Sequence, residues 1–466
     1  MQKLPLIAVA SLAFLFLASG TAAEERAQYP GTTWRKVAKP EKMGWSASHL
    51  AQARVFSEKI GSTAVMIVQH GVVIDEWGEV ATKSPAHSVR KSLLSALIGI
   101  AVAEQKIDLT DTMADLGIDD YEPSLTDVEK QATVGDLIKA RSGIYHPALY
   151  ETKRMTASKP RRGSYDPGTF WHYNNWDFNA LGTIYRQETG EDIFEAFGRR
   201  IATPLQMQDY VPADGEYIAG SKSVHDAYPF RISARDLARF GLLYLRNGKW
   251  NDQQVVPEAW VKTSTVSHSK TGADKGYGYM WWTGRGSFRS LNVKGHSFHA
   301  AGYRRQYAFV FPYLDLIVVH RINSDTSKAF PHKRQIERLL WHIFAAAGET
   351  ENGPDPTIEH AEGDRLTGKV MQRMLPGATL TGIGTRSQNP YRVTLFKDGR
   401  LTAFAGSMDE FQDEGSWRIE NDKYCRQYKK WTRGRDLCFS VVKTGKSLRF
   451  YDNTGTYYAT TELKTD

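Results

Sequence analysis

Cysteine is nearly absent: Cys425 and Cys438 are the only two in 466 residues, and neither lies in a zinc-binding pattern. The 13 histidines show no ligand spacing such as His-Glu-x-x-His, so neither a catalytic metal nor any other cofactor is expected. A dense basic run is also missing. Lys+Arg 60 against Asp+Glu 52 leaves a net charge of +8 spread along the chain, which suits an envelope surface and argues against a nucleic-acid groove. No apolar stretch reaches the roughly 20 residues of a membrane-spanning helix, which argues against stable membrane insertion. There is no internal repeat. What is present is the balance of a globular protein, with 41% hydrophobic, 12% aromatic and 24% charged residues, in a chain too long for one ordinary domain.

The N-terminus has the layout of a secretory leader: Lys3, an apolar run from Leu4 to Ala18, then Gly20, Thr21, Ala22 and Ala23, with cleavage equally compatible after Ala22 or Ala23. No cysteine stands there to carry a lipid, so a periplasmic or secreted protein is expected. In an oxidising compartment Cys425 and Cys438 form a disulfide.

Thr63 to Gln69 and Val72 to Trp77 have strand character and meet at His70-Gly71, a hairpin. Ser88 to Ala103 switches to a broad apolar helical face, and helical periodicity dominates from Ile107 to about Lys270. Strand character returns at Tyr277 to Trp282, Phe298 to Gly302, Gln306 to Phe311 and Leu316 to Ile322, before a last amphipathic helix from Lys333 to Ala347. This order predicts an α/β domain whose antiparallel sheet is built from both ends of the sequence, with an all-α insertion between. The expected boundaries are a leader at 1–23, this domain at 24–347, a Glu/Gly/Pro/Asp-rich linker at 348–365 and a small all-β domain at 366–466.

Chemistry is concentrated at Ser88-Val89-Arg90-Lys91, where the i, i+3 spacing at a helix start puts hydroxyl and amine on one side of the first turn. A serine hydroxyl becomes a nucleophile when a neighbour takes its proton, and a desolvated lysine can do so. The pattern alone is weak, since about two such matches are expected by chance at this composition. Ser267-His268-Ser269-Lys270 in a polar loop and Ser440-Val441-Val442-Lys443 in a strand are two of that kind. Taken alone, Ser88 also fits an ordinary helix cap. Tyr173-Asn174-Asn175 lies on a loop ahead of a helix beginning near Phe178; a phenol beside a lysine ammonium favours its phenolate, which makes Tyr173 a candidate base. A strand bearing Gly302 opposite Ser88 would complete an oxyanion hole. Tyr145 and His146 are pocket-lining candidates, whereas Trp281 and Trp282 are assigned to the core.

In one order, Ser88-Val89-Arg90-Lys91-Ser92-Leu93, Arg141-Ser142-Gly143-Ile144, Tyr173-Asn174-Asn175, Ala202-Thr203-Pro204-Leu205, Tyr277-Gly278-Tyr279 and Ala301-Gly302 resemble the class C β-lactamase-related serine hydrolases, most of all their 6-aminohexanoate-dimer hydrolase and esterase branch. The resemblance covers about residues 40 to 345. It implies the serine β-lactamase/penicillin-binding-protein-like fold. It further implies Ser88 as acylated nucleophile, Lys91 and Tyr173 as the proton-handling pair, Asn175 as a positioning hydrogen-bonder, and an oxyanion hole from the N–H groups of Ser88 and Tyr303. The family's third motif, a Lys or His followed by Thr or Ser and then Gly, is here Ala300-Ala301-Gly302. Arg304 and Arg305 stand where relatives tend to carry glycines and could return positive charge to the cleft. Lys270-Thr271-Gly272 and Lys443-Thr444-Gly445 spell the motif in the wrong places.

The expectation is an exported serine hydrolase acting on an ester or linear amide of a small molecule, with its oligomeric state open. Its rivals are a D-amino-acid peptidase or β-lactamase on the same chemistry, and a non-catalytic envelope binding protein that retains the cleft.

Overall fold

The computed structural model describes residues 29–272, 275–284, 295–349, 361–383, 390–406 and 411–464. The expected leader and most of the expected linker lie outside these residues. Strands β1 (Ala64–Gln69) and β2 (Val72–Gly78) turn at His70 and Gly71, both left-handed at φ 52° and 75°, the backbone of a tight hairpin. The sheet is completed by β3 (Ser269–Gly272), β4 (Lys275–Tyr277), β5 (Trp282–Thr283), β6 (Phe298–Gly302), β7 (Gln306–Phe311) and β8 (Leu316–Arg321). Their order is β2-β1-β8-β7-β6-β5-β4-β3, antiparallel at every pairing, so the first hairpin joins the last strand: Ala64 pairs with Arg321 and Gln69 with Leu316.

Both faces of the sheet are covered, which explains why its central strands read as continuous apolar runs without polar alternation. Val65 and Ile67 of β1 and Val318 of β8 bury toward α1 (Ala47–Lys59) and α5 (Lys333–Ala346), packing on Phe56, Leu339 and Phe344. Met66, Val68 and Val319 face the opposite way, into the core of α2 (Arg90–Ala103), α3 (Asn175–Thr189) and α4 (Ala234–Leu245). Every residue of α2 from Arg90 to Ala101 is buried, polar ones included.

Three local expectations differ from the structure. Tyr277 to Trp282 is not one strand: Gly278 N–H bonds Trp281 O at 2.8 Å and Met280 turns left-handed at φ 61°, making a tight turn between β4 and β5. An aromatic run imitates a strand in sequence, but here Ser92 and Ser95 of α2 donate to the Met280 and Tyr279 carbonyls at 2.8 and 2.7 Å and hold the turn shut. Ser269 and Lys270, assigned to a polar loop, begin the edge strand β3. The helical middle is less regular than its periodicity predicts. Between α2 and α3 lie two short α-helices, Val134–Ile138 and Lys153–Ser158, within long loops, and two-stranded ribbons pair Ser84–Pro85 with Arg231–Ile232 and Lys249–Trp250 with Gln253–Gln254.

Beyond the linker, eight antiparallel strands from Thr379–Ile383 to Tyr457–Lys464 close into a barrel, because Asp436–Thr444 pairs with both Lys423–Tyr428 and Ser447–Tyr451. Trp417, Tyr424, Phe439 and Phe450 fill it, and the helix Gly368–Met374 contributes the fully buried Met371. The barrel rests on α5 and its entry: His332 bonds Asp452, Arg338 donates to Thr454 O at 2.6 Å, and Arg334 lies 4.4 Å from the Tyr457 ring centroid.

Cys425 and Cys438 stand opposite each other in register on neighbouring barrel strands and are joined by a disulfide. A bridge across a loop of this length restricts the unfolded chain by about 3 kcal/mol in the chain-entropy model. Replacing both cysteines by serine is expected to lower the unfolding midpoint of the barrel accordingly. Free thiols detected by Ellman's reagent on denatured, unreduced protein would contradict the bridge.

Candidate active site

Ser88 lies in a single 3₁₀ turn, His87–Val89, that runs into α2, so it precedes the α-helix proper by two residues. The turn is pinned from several sides. Ala86 N–H bonds Phe230 O at 2.8 Å, and His87, left-handed at φ 50°, keeps that unusual backbone while its Nε2 sits 2.9 Å from Ser324 Oγ and its ring meets Tyr303 edge-on at 5.6 Å. Burial, helped by Arg321 and Arg304, drives the His87 pKa down to about 4, so the imidazole is neutral at neutral pH.

Lys91 is 1% exposed, and its Nζ lies 3.1 Å from Ser88 Oγ, 2.5 Å from Tyr173 Oη and 2.8 Å from Asn175 Oδ1. No carboxylate forms an ion pair with it among the described residues. Burial first, then the Arg90 charge, holds the amine well below the ordinary lysine value, with Glu151 opposing. Tyr173 moves the other way: burial pushes its phenol up to about 12 despite the Ser88 hydrogen bond and the Arg90 charge. The phenolate expected from the sequence is therefore disfavoured, and burial favours the uncharged form of both groups. Three more rings surround it, Trp282 stacked at 5.5 Å, Phe178 at 5.0 Å and Tyr277 edge-on at 5.9 Å. Trp282, assigned to the core from its sequence, is thus half-buried against Tyr173; its pairing with Trp281 in one apolar run concealed the difference, since Trp281 is fully buried.

The helix carrying Asn175 starts earlier than expected. Asn174 caps α3 by accepting from Trp176 N–H at 3.3 Å, so Asn175 is a first-turn residue on a rigid element and not part of a loop. Its Nδ2 donates to Tyr150 O at 2.7 Å. Arg141-Ser142-Gly143-Ile144 explains itself here: Ser142 Oγ donates to Asp177 Oδ1 at 2.6 Å beneath the start of α3. Gly143 turns at φ 73°, where a Cβ would strike Tyr165 O at 2.6 Å. Burial lifts the Asp177 carboxyl to about 8.

On β6, Ala300 faces the α2 core and is fully buried, while Ala301 packs toward the opposite side with the α1 and α5 cluster. Gly302 backs directly onto the turn that carries Ser88, since a Cβ there would come within 2.5 Å of Ala86 O. Tyr303 follows at the rim beside His87 and Phe330. Arg304 donates to Ser327 O, and Arg305 donates to Pro331 O at 2.8 Å with its guanidinium 5.3 Å from the Phe330 ring centroid.

Tyr145 and His146 are both buried, at 6% and 4% exposure. Tyr145 meets Tyr165 and His172 edge-on, whereas His146 packs on Trp176 with Nε2 3.9 Å from Glu129. Neither contacts Ser88, Lys91 or Tyr173 in the hydrogen bonds of the site. Among the described residues, the one trio of metal-ligating groups within reach of each other is Glu420 with Cys425 and Cys438, whose sulfurs are bonded together.

The β-lactamase family model matches residues 47–340. An uncharacterized protein of Alkalihalophilus pseudofirmus is 22% identical over 298 residues, spanning 57% of this chain and 84% of its own. Two solved structures share the fold at a TM-score of 0.50. One, assigned as a 6-aminohexanoate-dimer hydrolase from Bacillus anthracis, is 20% identical and covers 63% of this chain and 81% of its own. The other, an octameric penicillin-binding protein homologue from Pyrococcus abyssi, is 15% identical and covers 90% and 99%.

The contact of Gly302 with Ala86 yields a prediction. Gly302→Ala has no φ penalty at −128°, so its cost is the clash alone, about 1 to 3 kcal/mol for overpacking at a rigid backbone. A lowered thermal midpoint is expected, together with slower covalent labelling of Ser88 as the turn shifts. Unchanged labelling would show that β6 does not position the serine.

Proposed function

Starting from the fact that the chain belongs to the β-lactamase family, a family of serine hydrolases, we propose that it is an exported enzyme cleaving an ester or linear amide of a small molecule through a Ser88 acyl-enzyme. The observation that carries this reading is the meeting of Ser88, Tyr173 and Asn175 on one dry lysine amine at 2.5 to 3.1 Å. A lysine whose amine burial holds well below its ordinary value is a better proton acceptor than an exposed one, and its neighbour within reach is the Ser88 hydroxyl. Ser88 Oγ attacks the substrate carbonyl carbon while its proton passes to Lys91. Tyr173, a phenol in the resting site, relays that proton to the departing alcohol or amine as the acyl–heteroatom bond breaks. The N–H groups of Ser88 and Tyr303 receive the oxyanion. Water then attacks the acyl-enzyme, its proton passes through the same pair to Ser88 Oγ as the Oγ–acyl bond breaks, and the acid is released.

The third motif bears on the substrate. Ala300, Ala301 and Gly302 offer no cation, and one nitrogen of each following arginine is turned to a carbonyl, Arg304 Nη1 to Ser327 O and Arg305 Nε to Pro331 O. A substrate carboxylate would lack a charge-assisted hydrogen bond worth about 1.5 to 3 kcal/mol. This favours neutral esters and linear amides over penicillins, cephalosporins and peptides ending in a carboxylate. A linear amide of the type named for the Bacillus anthracis neighbour belongs in the test panel.

Fluorophosphonate labelling followed by peptide mass spectrometry tests the nucleophile. Ser88→Ala is expected to abolish the adduct, while Ser267→Ala and Ser440→Ala leave it, and an adduct on another serine overturns the assignment. Lys91→Ala and Tyr173→Phe should each lower kcat by at least about 10²-fold, with losses that do not add in the double variant because the two act as one unit.

Substrate choice is read by steady-state kinetics. p-Nitrophenyl butyrate is expected to be turned over with kcat/KM at least about 10²-fold above nitrocefin, toward the upper end of the roughly 10- to 150-fold that the missing charge-assisted bond implies. Efficient nitrocefin hydrolysis that Arg304→Ala and Arg305→Ala do not weaken would overturn the reading of the third motif.

A further inference from the structure

Arg90, next to Lys91 on the first turn of α2, is wholly buried, at 0% exposure. One of its nitrogens donates to Asn179 Oδ1 at 2.9 Å, and its guanidinium carbon lies 4.1 Å from the Tyr228 ring centroid and 5.8 Å from that of Tyr150. Nε and Nη1 meet no carbonyl or carboxylate oxygen at hydrogen-bond distance among the described residues, and no ion pair is formed; the charge rests on the Asn179 oxygen and the Tyr228 phenol. A guanidinium left in that condition is expensive, and an apolar side chain of similar volume would fill the space at lower cost. Packing alone therefore does not account for the charge.

The surroundings connect it to the site. Asn179 and Asn175 stand one turn apart on the same face of α3. Asn179 Nδ2 donates to Leu149 O at 3.2 Å, Asn175 Nδ2 donates to Tyr150 O at 2.7 Å, and Asn175 Oδ1 accepts from Lys91 at 2.8 Å. Arg90 thus fixes Asn179, the two asparagines fix consecutive carbonyls of one loop, and Asn175 aims the amine. We propose that Arg90 is a positioning residue of this site: its buried guanidinium, one residue from Lys91, disfavours a second positive charge there and, through Asn179, holds the loop against which Lys91 is oriented. This rests on the reading of Ser88, Lys91 and Tyr173 given above.

The other groups around Lys91 do not supply the same effect. Tyr173 ahead of α3, Tyr277 on β4 and Tyr228 packed on Arg90 are phenols that burial keeps protonated. Asp177 on α3, held near 8, is mostly neutral at pH 7. Glu151 opposes Arg90, but its charge is met by Lys159 at 2.8 Å. The sign follows: a like charge favours the free amine, so its loss lets Lys91 take up a proton at higher pH. The acid limb of activity then moves upward.

The test is the rate of Ser88 labelling by a fluorophosphonate probe from pH 4 to 10. Arg90→Met removes the charge. Asn179→Asp keeps the acceptor that Arg90 bonds, places a carboxylate on the guanidinium and cancels its charge, while giving up the Nδ2 bond to Leu149 O, a loss felt equally at every pH. Both are expected to raise the limb by about one pH unit or more, so that labelling falls about tenfold on the acid side and recovers above the new limb. Arg90→Lys retains the wild-type limb. If Arg90→Met shows no cooperative thermal transition, Asn179→Asp decides. A limb that stays in place overturns this inference alone, whether or not labelling is also slower at every pH. Absence of Ser88 labelling in the wild type at all pH values overturns the reading of the site, and this inference with it.

Discussion

The desolvation of one amine organises the molecule. An ammonium taken out of water without a carboxylate is disfavoured by several kcal/mol, and proteins relieve that cost by giving up the proton. Lys91 reaches that condition because α2 is buried on all sides as far as Ala101, with its polar residues facing inward as well. Such a helix must be enclosed by something, and the enclosure is the rest of the domain. The sheet lies on one side and α3 on another, while the Tyr277 to Trp282 turn is fastened by the serines of α2 itself. Tyr173 and its aromatic neighbours close the remaining approach. The same low dielectric that lowers the amine raises the phenol, so one cause sets opposite protonation preferences in two groups 2.5 Å apart.

Much of this was legible in the sequence, for physical reasons that differ from place to place. The first hairpin and the three longest late strands were readable because both sheet faces are buried, which leaves uninterrupted apolar runs between turn residues. The proximity of Ser88 and Lys91 was readable because helical spacing is rigid. The Tyr277 to Trp282 turn was not, since its shape is set by hydroxyl bonds from residues nearly two hundred positions earlier. Trp282 was missed for the same reason: sequence neighbours share composition, and which of two tryptophans faces the cleft depends on that turn. The protonation preference of Tyr173 could not be read either, because a motif names a hydrogen bond but not how dry its surroundings are. Arg90 lay in plain view within the motif, and only the missing carboxylate around it gives it meaning.

The third-motif strand shows how a scaffold can keep its geometry while changing its electrostatics. Gly302 still fits under the nucleophile turn, so β6 and Ser88 remain in contact. The position two residues earlier has lost any charge, and the arginines that follow are tied to the segment around Ser327 and Pro331. Contact with the turn and recognition of an anion are separable properties of the same five residues. The barrel is separate in another sense. Its core shares no residue with the two cores of the larger domain, and its links to α5 among the described residues include hydrogen bonds and an arginine stacked on Tyr457.

The pairing of β1 with β8 carries a consequence for how the molecule comes to exist. Ala64 finds Arg321 across most of the larger domain, so β1 has one side unpaired until the chain is complete through β8. A ribosome-bound chain that has released α2 and α3 therefore has an apolar helix in hand and lacks the sheet that covers its other side. Contacts this distant along the chain slow folding, because the loop between them must close before any pairing is rewarded. Assembly late and all at once follows from the topology, and with it a long interval in which the nascent domain is pliable.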